Sequence, residues 1–336
     1  MDPNSSAVEG SNVGRAAPIP DRRRRRLVLL AVAAIVAGAA VAGVIVWQSR
    51  GGSQAPPPAV AQPLSGRPPV VLQMPGKPVS ASHPRAVLAA AVSRLPAGDV
   101  RIAVARAMAG YSAAARESTL AALRRLPRNS PVVAFNLGVA ELWAGQPAAA
   151  TLELKRVRVL DPYGYYGTNA DNLLHPDEVR GYPPYVYPGP APTGSLARLE
   201  AAARAHSSAA RWLKAAVRVE AVNRLQAIAD ARRALALDPV GIAPQVATAV
   251  LGFQKDNPMA AITTLTQLAG NDPDNTEVRF HLGLLYFWIR SGGDAAAQMR
   301  LVRSDAPQGP YATLAQVFEQ CIPDPAHCAS LAGGSS

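Results

Sequence analysis

The stretch PVVAFNLGVAELWAGQPAAATLELKRVRVLDPYG, residues 131–164, recurs in altered form as TEVRFHLGLLYFWIRSGGDAAAQMRLVRSDAPQG at residues 276–309. The two stretches share Val, Phe and Leu-Gly at equal offsets in their first halves, and Val-Arg and Pro near their ends. In both, apolar residues recur at helical spacing on either side of a central turn that contains glycine. The repetition predicts a helical hairpin of 34 residues as the unit of the fold.

Two further units precede the last one in tandem, at residues 208–241 and 242–275. Each has Asp-Pro near its end, as residues 131–164 do. Proline disfavours helix at the residue before it, so the second helix of each unit is expected to stop there. Residues 97–130 form a doubtful further unit, because Arg116 stands where the other units carry a small side chain.

The period and its small-residue positions resemble those of the tetratricopeptide repeat, a helix–turn–helix unit of 34 residues. The residues that carry this resemblance are Gly138, Ala150, Pro162, Ala215, Ala227, Pro239, Ala249, Ala261, Pro273, Gly283, Ala295 and Pro307. The chain is similar to a membrane-anchored bacterial member of that family. The resemblance implies an all-α fold, a tetratricopeptide-like solenoid of helical hairpins preceded by one transmembrane helix and a Pro-rich linker.

In that family the first helices of the hairpins line a concave wall that binds extended peptides or partner helices. By resemblance, the residues that face this wall are Phe135, Val139, Leu142, Trp212, Val246, Val250, Phe253, Phe280, Leu284 and Phe287. They are apolar, and the Lys, Asn and Arg set that holds a C-terminal carboxylate in some relatives is missing. The resemblance therefore implies an apolar peptide or helical segment as the partner. The alternative is that these residues are simply core.

Residues 27–47 contain no charged or strongly polar side chain. A helix of this length reaches about 30 Å, the thickness of the bilayer hydrocarbon. Five arginines precede it at residues 22–26, and basic residues stay on the cytoplasmic side. We therefore expect a disordered cytoplasmic tail over residues 1–26, a signal-anchor helix over residues 27–47 in the plasma membrane, and the rest of the chain outside the cytoplasm. Ala40 and Ala42 leave a cleaved signal peptide as the alternative.

Proline and glycine mark two regions as irregular. Residues 48–80 are rich in Pro, Gly, Ser and Gln, which indicates an extended spacer that cannot build a core, and the folded domain is expected over residues 81–336. Residues 165–194 are crowded with Tyr, Pro and Gly and predict an irregular insertion, either a structural flap or a loop that contacts a partner. Ser195 is then expected to cap a new helix.

Composition and motifs argue against several kinds of chemistry. Of the formal net charge of +11, only +5 belongs to residues 81–336, and a charge of that size on a large surface gives no concentrated field for a phosphate backbone, so nucleic-acid binding is not expected. The sequence has no two-histidine zinc spacing, phosphate-binding glycine loop or Gly-x-Ser-x-Gly elbow. We therefore expect no metal, no cofactor and no enzymatic activity.

The only cysteines are Cys321 and Cys328. Outside the cytoplasm the environment is oxidising, so a disulfide between them is expected, with free buried thiols as the alternative. The predicted function is that of a membrane-anchored extracytoplasmic adaptor or scaffold, which binds a protein partner through the concave face of its repeats. A structural or self-associating cell-envelope protein without a separate ligand is the alternative.

Overall fold

The structure, a computed structural model, describes residues 67–74, 78–81 and 84–322 of the chain. The predicted cytoplasmic tail and the predicted transmembrane helix at residues 27–47 lie outside the described residues, as does most of the predicted linker. Within the part that the structure describes, no helix combines the length and the apolar character that crossing a bilayer requires.

The described residues are mainly α-helical, which confirms the predicted all-α class. Their helices are α1 (Pro84–Arg94), α2 (Val100–Ala109), α3 (Arg116–Arg124), α4 (Pro131–Trp143), α5 (Pro147–Leu160), α6 (Tyr165–Leu174), α7 (Leu196–His206), α8 (Ala209–Val219), α9 (Arg224–Leu237), α10 (Ile242–Leu251), α11 (Pro258–Asn271), α12 (Thr276–Trp288), α13 (Gly292–Asp305) and α14 (Pro310–Cys321). A short antiparallel ribbon of β1 (Val70–Gln73) and β2 (Pro78–Ala81) precedes them.

Helical hairpins occupy the four repeat windows that the sequence defines, as α4–α5, α8–α9, α10–α11 and α12–α13. In each hairpin the second helix ends two residues before the proline of its unit: Leu160 and Pro162, Leu237 and Pro239, Asn271 and Pro273, Asp305 and Pro307. This regularity is the expected consequence of the restriction that proline places on the residue before it.

Small residues let the two helices of a hairpin approach closely. Ala150, Ala215, Ala227 and Ala295 are fully buried and Ala261 is nearly so, whereas Ala249 is half-buried. A Cβ added at Gly138 would lie 3.2 Å from Leu154 Cγ, and one added at Gly283 would lie 2.8 Å from Met299 Cε. A side chain at Gly138 would crowd Leu154 and the Ala150 carbonyl of the second helix, whereas at Gly283 the flexible end of Met299 would have to move aside.

The first helices of successive hairpins stack side by side: α8 contacts α10, α10 contacts α12, and α12 contacts α14. Buried apolar side chains form two clusters, one within residues 70–174 and the other within residues 179–321. We call these two parts of the domain the N-terminal half and the C-terminal half.

The linker prediction needs correction at its C-terminal end. Residues 70–73 and 78–81 pair as strands, and β1 packs against α2 and α4. Val70 and Leu72 have no exposed surface, and Met74 is also buried. Because strand pairing and helical side chains together satisfy its backbone groups, β1 buries apolar side chains even between prolines. The folded region therefore begins before residue 81.

The insertion at residues 165–194 is not irregular throughout, since its first ten residues form α6. A carboxylate oxygen of Asp161 accepts hydrogen bonds from the backbone N–H of Tyr166 at 2.8 Å and of Gly167 at 3.3 Å. These contacts satisfy the first donors of the helix and explain its formation in a Tyr-rich stretch. Beyond α6 the chain is irregular until Ser195, which caps α7 as predicted by accepting from the Arg198 N–H.

Candidate functional site

The residues predicted to face a concave wall are nearly all removed from solvent. Phe135, Val139, Trp212, Val246, Val250, Phe253, Phe280, Leu284 and Phe287 are buried, and Leu142 is half-buried. The guanidinium groups of Arg204 and Arg233 lie 5.8 and 4.9 Å from the ring centroid of Trp212. The predicted wall is therefore not an open apolar surface in this structure, and its role in partner binding stays a prediction.

In the C-terminal half, a segment of the same chain crosses helix α12. We call residues 179–187 the inner segment. The Val186 N–H donates to Nε2 of His281 at 3.0 Å, and the Tyr311 hydroxyl donates to the Val186 carbonyl at 3.1 Å. The Tyr185 hydroxyl donates to Glu277 at 2.9 Å, and its ring stacks on His281 with centroids 5.1 Å apart. Side chains of α12 and α14 thus bind both backbone groups of one residue.

In the N-terminal half, strand β1 crosses helix α4 in a related way. The amide oxygen of Asn136 accepts from the Val71 N–H at 3.0 Å, and its amide nitrogen donates to the Val71 carbonyl at 2.8 Å. Two residues further on, the Gln73 N–H donates to the Tyr166 hydroxyl at 2.8 Å. Here too, one helical side chain and one tyrosine hydroxyl bind an extended main chain.

The two sites use corresponding positions of the sequence. Each pairs a Phe and a polar residue on the first helix of a hairpin with a Tyr at the start of the helix that follows the hairpin, and the two sets have the same spacing. Phe135, Asn136 and Tyr166 form what we call the first cradle; Phe280, His281 and Tyr311 form the second cradle. The Phe and Tyr ring centroids lie 5.9 Å apart in the first cradle and 5.0 Å apart in the second.

The 34-residue pattern aligns Phe135 with Phe280 but does not reveal these polar positions. Asn136 and His281 differ in residue type, and Tyr166 and Tyr311 lie just beyond the end of the 34-residue unit. A search for hydrogen-bonding side chains at equal offsets, extended by two residues, would have paired them.

Arg224 anchors the inner segment to the repeats. Its guanidinium donates to the Pro183 carbonyl at 3.1 Å, and to the Val250 and Leu251 carbonyls at 2.9 and 3.2 Å. It also donates to Glu220 at 2.9 Å. Because Val250 and Leu251 end α10, the same cation satisfies orphan helix carbonyls and holds the segment.

The start of the inner segment is held by a second buried cation. Lys255, which is 2% exposed, donates from Nζ to the Val179 carbonyl at 2.7 Å and to Asn172 at 3.1 Å. The Val179 N–H donates to the Trp288 carbonyl at the end of α12, at 2.9 Å. The segment is therefore fixed at Val179 before it reaches the second cradle.

Burial shifts the pKa of several groups around the inner segment, among them Glu220 and His281. It raises the pKa of Glu220 to about 7, against the attraction of Arg224. It lowers the pKa of His281 to about 4, so this imidazole is neutral near pH 7. Nδ1 of His281 lies 2.8 Å from the Glu277 carbonyl, which places the ring proton on Nδ1 and leaves Nε2 as the acceptor for Val186.

The two halves of the domain meet at a polar junction. Arg158 contacts Asp171 at 2.5 Å and also contacts Asp256. His175 Nε2 lies 2.9 Å from the same Asp256. A cavity of about 390 Å³ opens here, but these charged groups of its border are already paired with one another. The junction therefore joins the halves, and the cradles are the better candidates for binding.

The remaining predicted site concerns the cysteines. Cys321 is buried at the end of α14, whereas Cys328 lies outside the described residues, so the disulfide stays a prediction. Within the described ranges, no group of three or more His, Cys, Asp or Glu side chains is arranged to hold a metal ion.

Comparison of the chain with models of known protein families finds no match, and a search of curated proteins finds none either. The resemblance to tetratricopeptide repeats therefore rests on the 34-residue spacing and on the residues that carry it. The two cradles are therefore the features of the structure that bear on function.

Proposed function

We propose that this protein is a membrane-anchored adaptor, whose tetratricopeptide-like repeats bind an extended segment of a protein partner outside the cytoplasm. The anchor is the apolar run at residues 27–47, and the arginines at residues 22–26 hold the N-terminus inside. In this proposal the described domain stands on the outer side of the plasma membrane. Its role is binding, without catalysis, a cofactor or nucleic acid.

The observation that carries the proposal is the pair of cradles. In both, side chains donate to or accept from the main chain of an extended segment. Main-chain hydrogen bonds supply affinity for extended peptides, and pockets for their side chains supply specificity. A helical frame that has this device at two corresponding positions is suited to holding peptide strands.

The burial of the predicted wall favours a second candidate. If the apolar first helices serve only as core, the protein is a structural or self-associating component of the cell envelope without a separate ligand. The full burial of Phe280 and Phe253 is what such an array would show. Charged substitutions at these phenylalanines would unfold either kind of protein, so they do not separate the two candidates.

Substitution of the cradle polar groups separates them. The full native chain and a variant with His281→Ala and Tyr311→Phe are each expressed in cells as membrane proteins. Both are then crosslinked in the intact cells. The adaptor proposal expects a crosslinked protein that disappears in the variant, while protease added to intact cells still degrades the described domain in both. Crosslinks only between copies of this chain, unchanged in the variant, would favour the structural candidate. A domain that added protease never reaches would contradict the proposed location.

A further inference from the structure

The two cradles hold their strands by different means. In the first cradle, β1 is paired with β2 and buries Val70 and Leu72 completely. In the second cradle, the inner segment has no strand partner among the described residues, and Val186 and Tyr187 are only half-buried. The first strand is thus part of the core, whereas of residues 183–187 only Pro183 and Tyr185 are buried and the others lie partly exposed on the repeats.

The inner segment is held mainly through its main chain. Tyr185 N–H approaches the Glu220 carboxylate at 3.2 Å, and the Pro183 and Val186 backbone groups bind Arg224, His281 and Tyr311. Any extended chain offers the same N–H and C=O groups. Selectivity comes mainly from Tyr185, which is 2% exposed and whose hydroxyl donates to Glu277, while Pro183 is buried as well.

The groups under the segment tolerate its departure. Glu220, Arg224, Glu277 and His281 are polar, so water can replace the backbone groups that they bind. Burial raises the pKa of Glu220 and lowers that of His281, which means that covering them opposes their charged forms. The apolar side chains under β1, by contrast, would gain nothing from contact with water if β1 left.

The connections of the segment permit the movement. Upstream, Val179 stays fixed by Lys255 and by the end of α12. Downstream, residues 188–191 are exposed, and Gly194 has a φ of +98°, before α7 begins. Residues 183–187 can therefore leave the second cradle while both flanks remain in place.

We propose that residues 183–187 are an exchangeable, built-in ligand of the second cradle, and that the partner presents an extended segment with the same alternation of aromatic and aliphatic side chains, which displaces them. This inference rests on the proposed function for the existence of such a partner. The tethered segment competes at an effective concentration on the order of millimolar, so the cradle is closed to weak ligands.

The test uses the full chain in detergent and a fluorescein-labelled peptide with the sequence Pro-Pro-Tyr-Val-Tyr-Pro of residues 183–188. An open-cradle variant carries Tyr185→Ser, Val186→Gly and Tyr187→Ser. Fluorescence anisotropy is expected to show saturable binding to this variant, at least about tenfold tighter than to the native chain, because the tethered segment has lost the buried Tyr185 contact and competes less well.

Matched variants assign the binding site. Adding His281→Ala and Tyr311→Phe to the open-cradle variant is expected to abolish peptide binding, whereas adding Asn136→Ala in the first cradle is expected to leave it unchanged. An open-cradle variant that keeps its helical circular dichroism but does not bind overturns the proposal. Equal affinity for the native chain and the variant overturns it as well.

Hydrogen exchange on the native chain keeps the proposal testable if the open-cradle variant does not fold. The Val186 amide is expected to exchange at least about tenfold faster than the Val71 amide, because the inner segment opens locally while β1 opens only with the core. Equal protection of the two amides would contradict exchangeability. Peptide binding without any crosslinked partner in cells would show that residues 183–187 are exchangeable, while the adaptor proposal and the displacing segment of a partner would both fail.

Discussion

The first and second cradles share a frame but differ in what surrounds the strand. Asn136 and Tyr166 bind β1 above apolar core, whereas His281 and Tyr311 bind the inner segment beside Glu220 and Arg224. In both cradles, the helical side chains bind the main chain of the strand. The surroundings decide whether the bound strand becomes part of the core or remains a ligand. A repeat array can therefore contain one completed site and one exchangeable site.

The largest expected difference in the free energy of unfolding comes from shortening the apolar side chains of β1 and of the inner segment. Leu72→Ala removes a fully buried side chain from β1 and is expected to lower the free energy of unfolding by about 3 kcal/mol. Val186→Ala shortens a half-buried side chain of the inner segment and is expected to lower it by less than about 1 kcal/mol. Urea denaturation of both variants measures the difference. Similar losses would show that the inner segment belongs to the core as β1 does.

The helices were the predictable part of the molecule. Proline at a fixed interval stops each second helix, and glycine or alanine at the hairpin crossing permits close packing, so both features are local. The formation of β1 was not predictable in this way, because Val70 and Leu72 stand among prolines and become core only through contacts with α2 and α4. Helix α6 was hidden by a Tyr-rich composition, although Asp161 supplies its cap.

The occupants of the cradles were harder to predict. Val186 lies 95 residues from His281, and Val71 lies 65 residues from Asn136. The periodic pattern of one hairpin cannot predict that it binds a strand from so distant a part of the sequence. The polar positions Asn136 and His281 could have been found by alignment, whereas which segments they bind depends on the tertiary fold.

A smaller difference in the free energy of unfolding is expected when the polar side chains Asn136 and His281 are removed from the two cradles. Asn136→Ala leaves the Val71 N–H and carbonyl unpaired in a buried site and is expected to destabilise the fold by about 2 kcal/mol. His281→Ala leaves the Val186 N–H unpaired, which water can reach once the segment loosens, so about 1 kcal/mol is expected. Urea midpoints at constant slope measure both effects. Lys155→Ala, at an exposed position of α5, is the control and should change little. A larger loss from His281→Ala would reverse the assigned roles of the cradles.

The smallest effect is a pH dependence confined to the second cradle. Burial lowers the pKa of His281 from its ordinary value of 6.5 to about 4, so between these pH values the unfolded chain binds a proton that the folded chain does not. The stability contributed by neutral His281 is therefore present above pH 6.5 and lost as the pH falls towards 4. The raised pKa of Glu220 has the opposite sign, since its burial destabilises the fold as the pH rises from about 4.5 to about 7.

Comparison of the native chain with the His281→Asn variant isolates the contribution of the histidine to the pH dependence of stability. Asn is the residue of the first cradle and is neutral, as His281 is in the folded state, so Glu220 and the neighbouring Glu277 and Tyr185 keep their electrostatic surroundings. The stability advantage of the native chain over this variant is expected to fall by about 1 kcal/mol from pH 6.5 to pH 5.5. Asn136→His should introduce a dependence of the same sign into the first cradle, because that site is buried as well. A pH-independent difference between the native chain and His281→Asn would mean that water or a proton donor already reaches the imidazole, and the second cradle would then not be sealed by the inner segment.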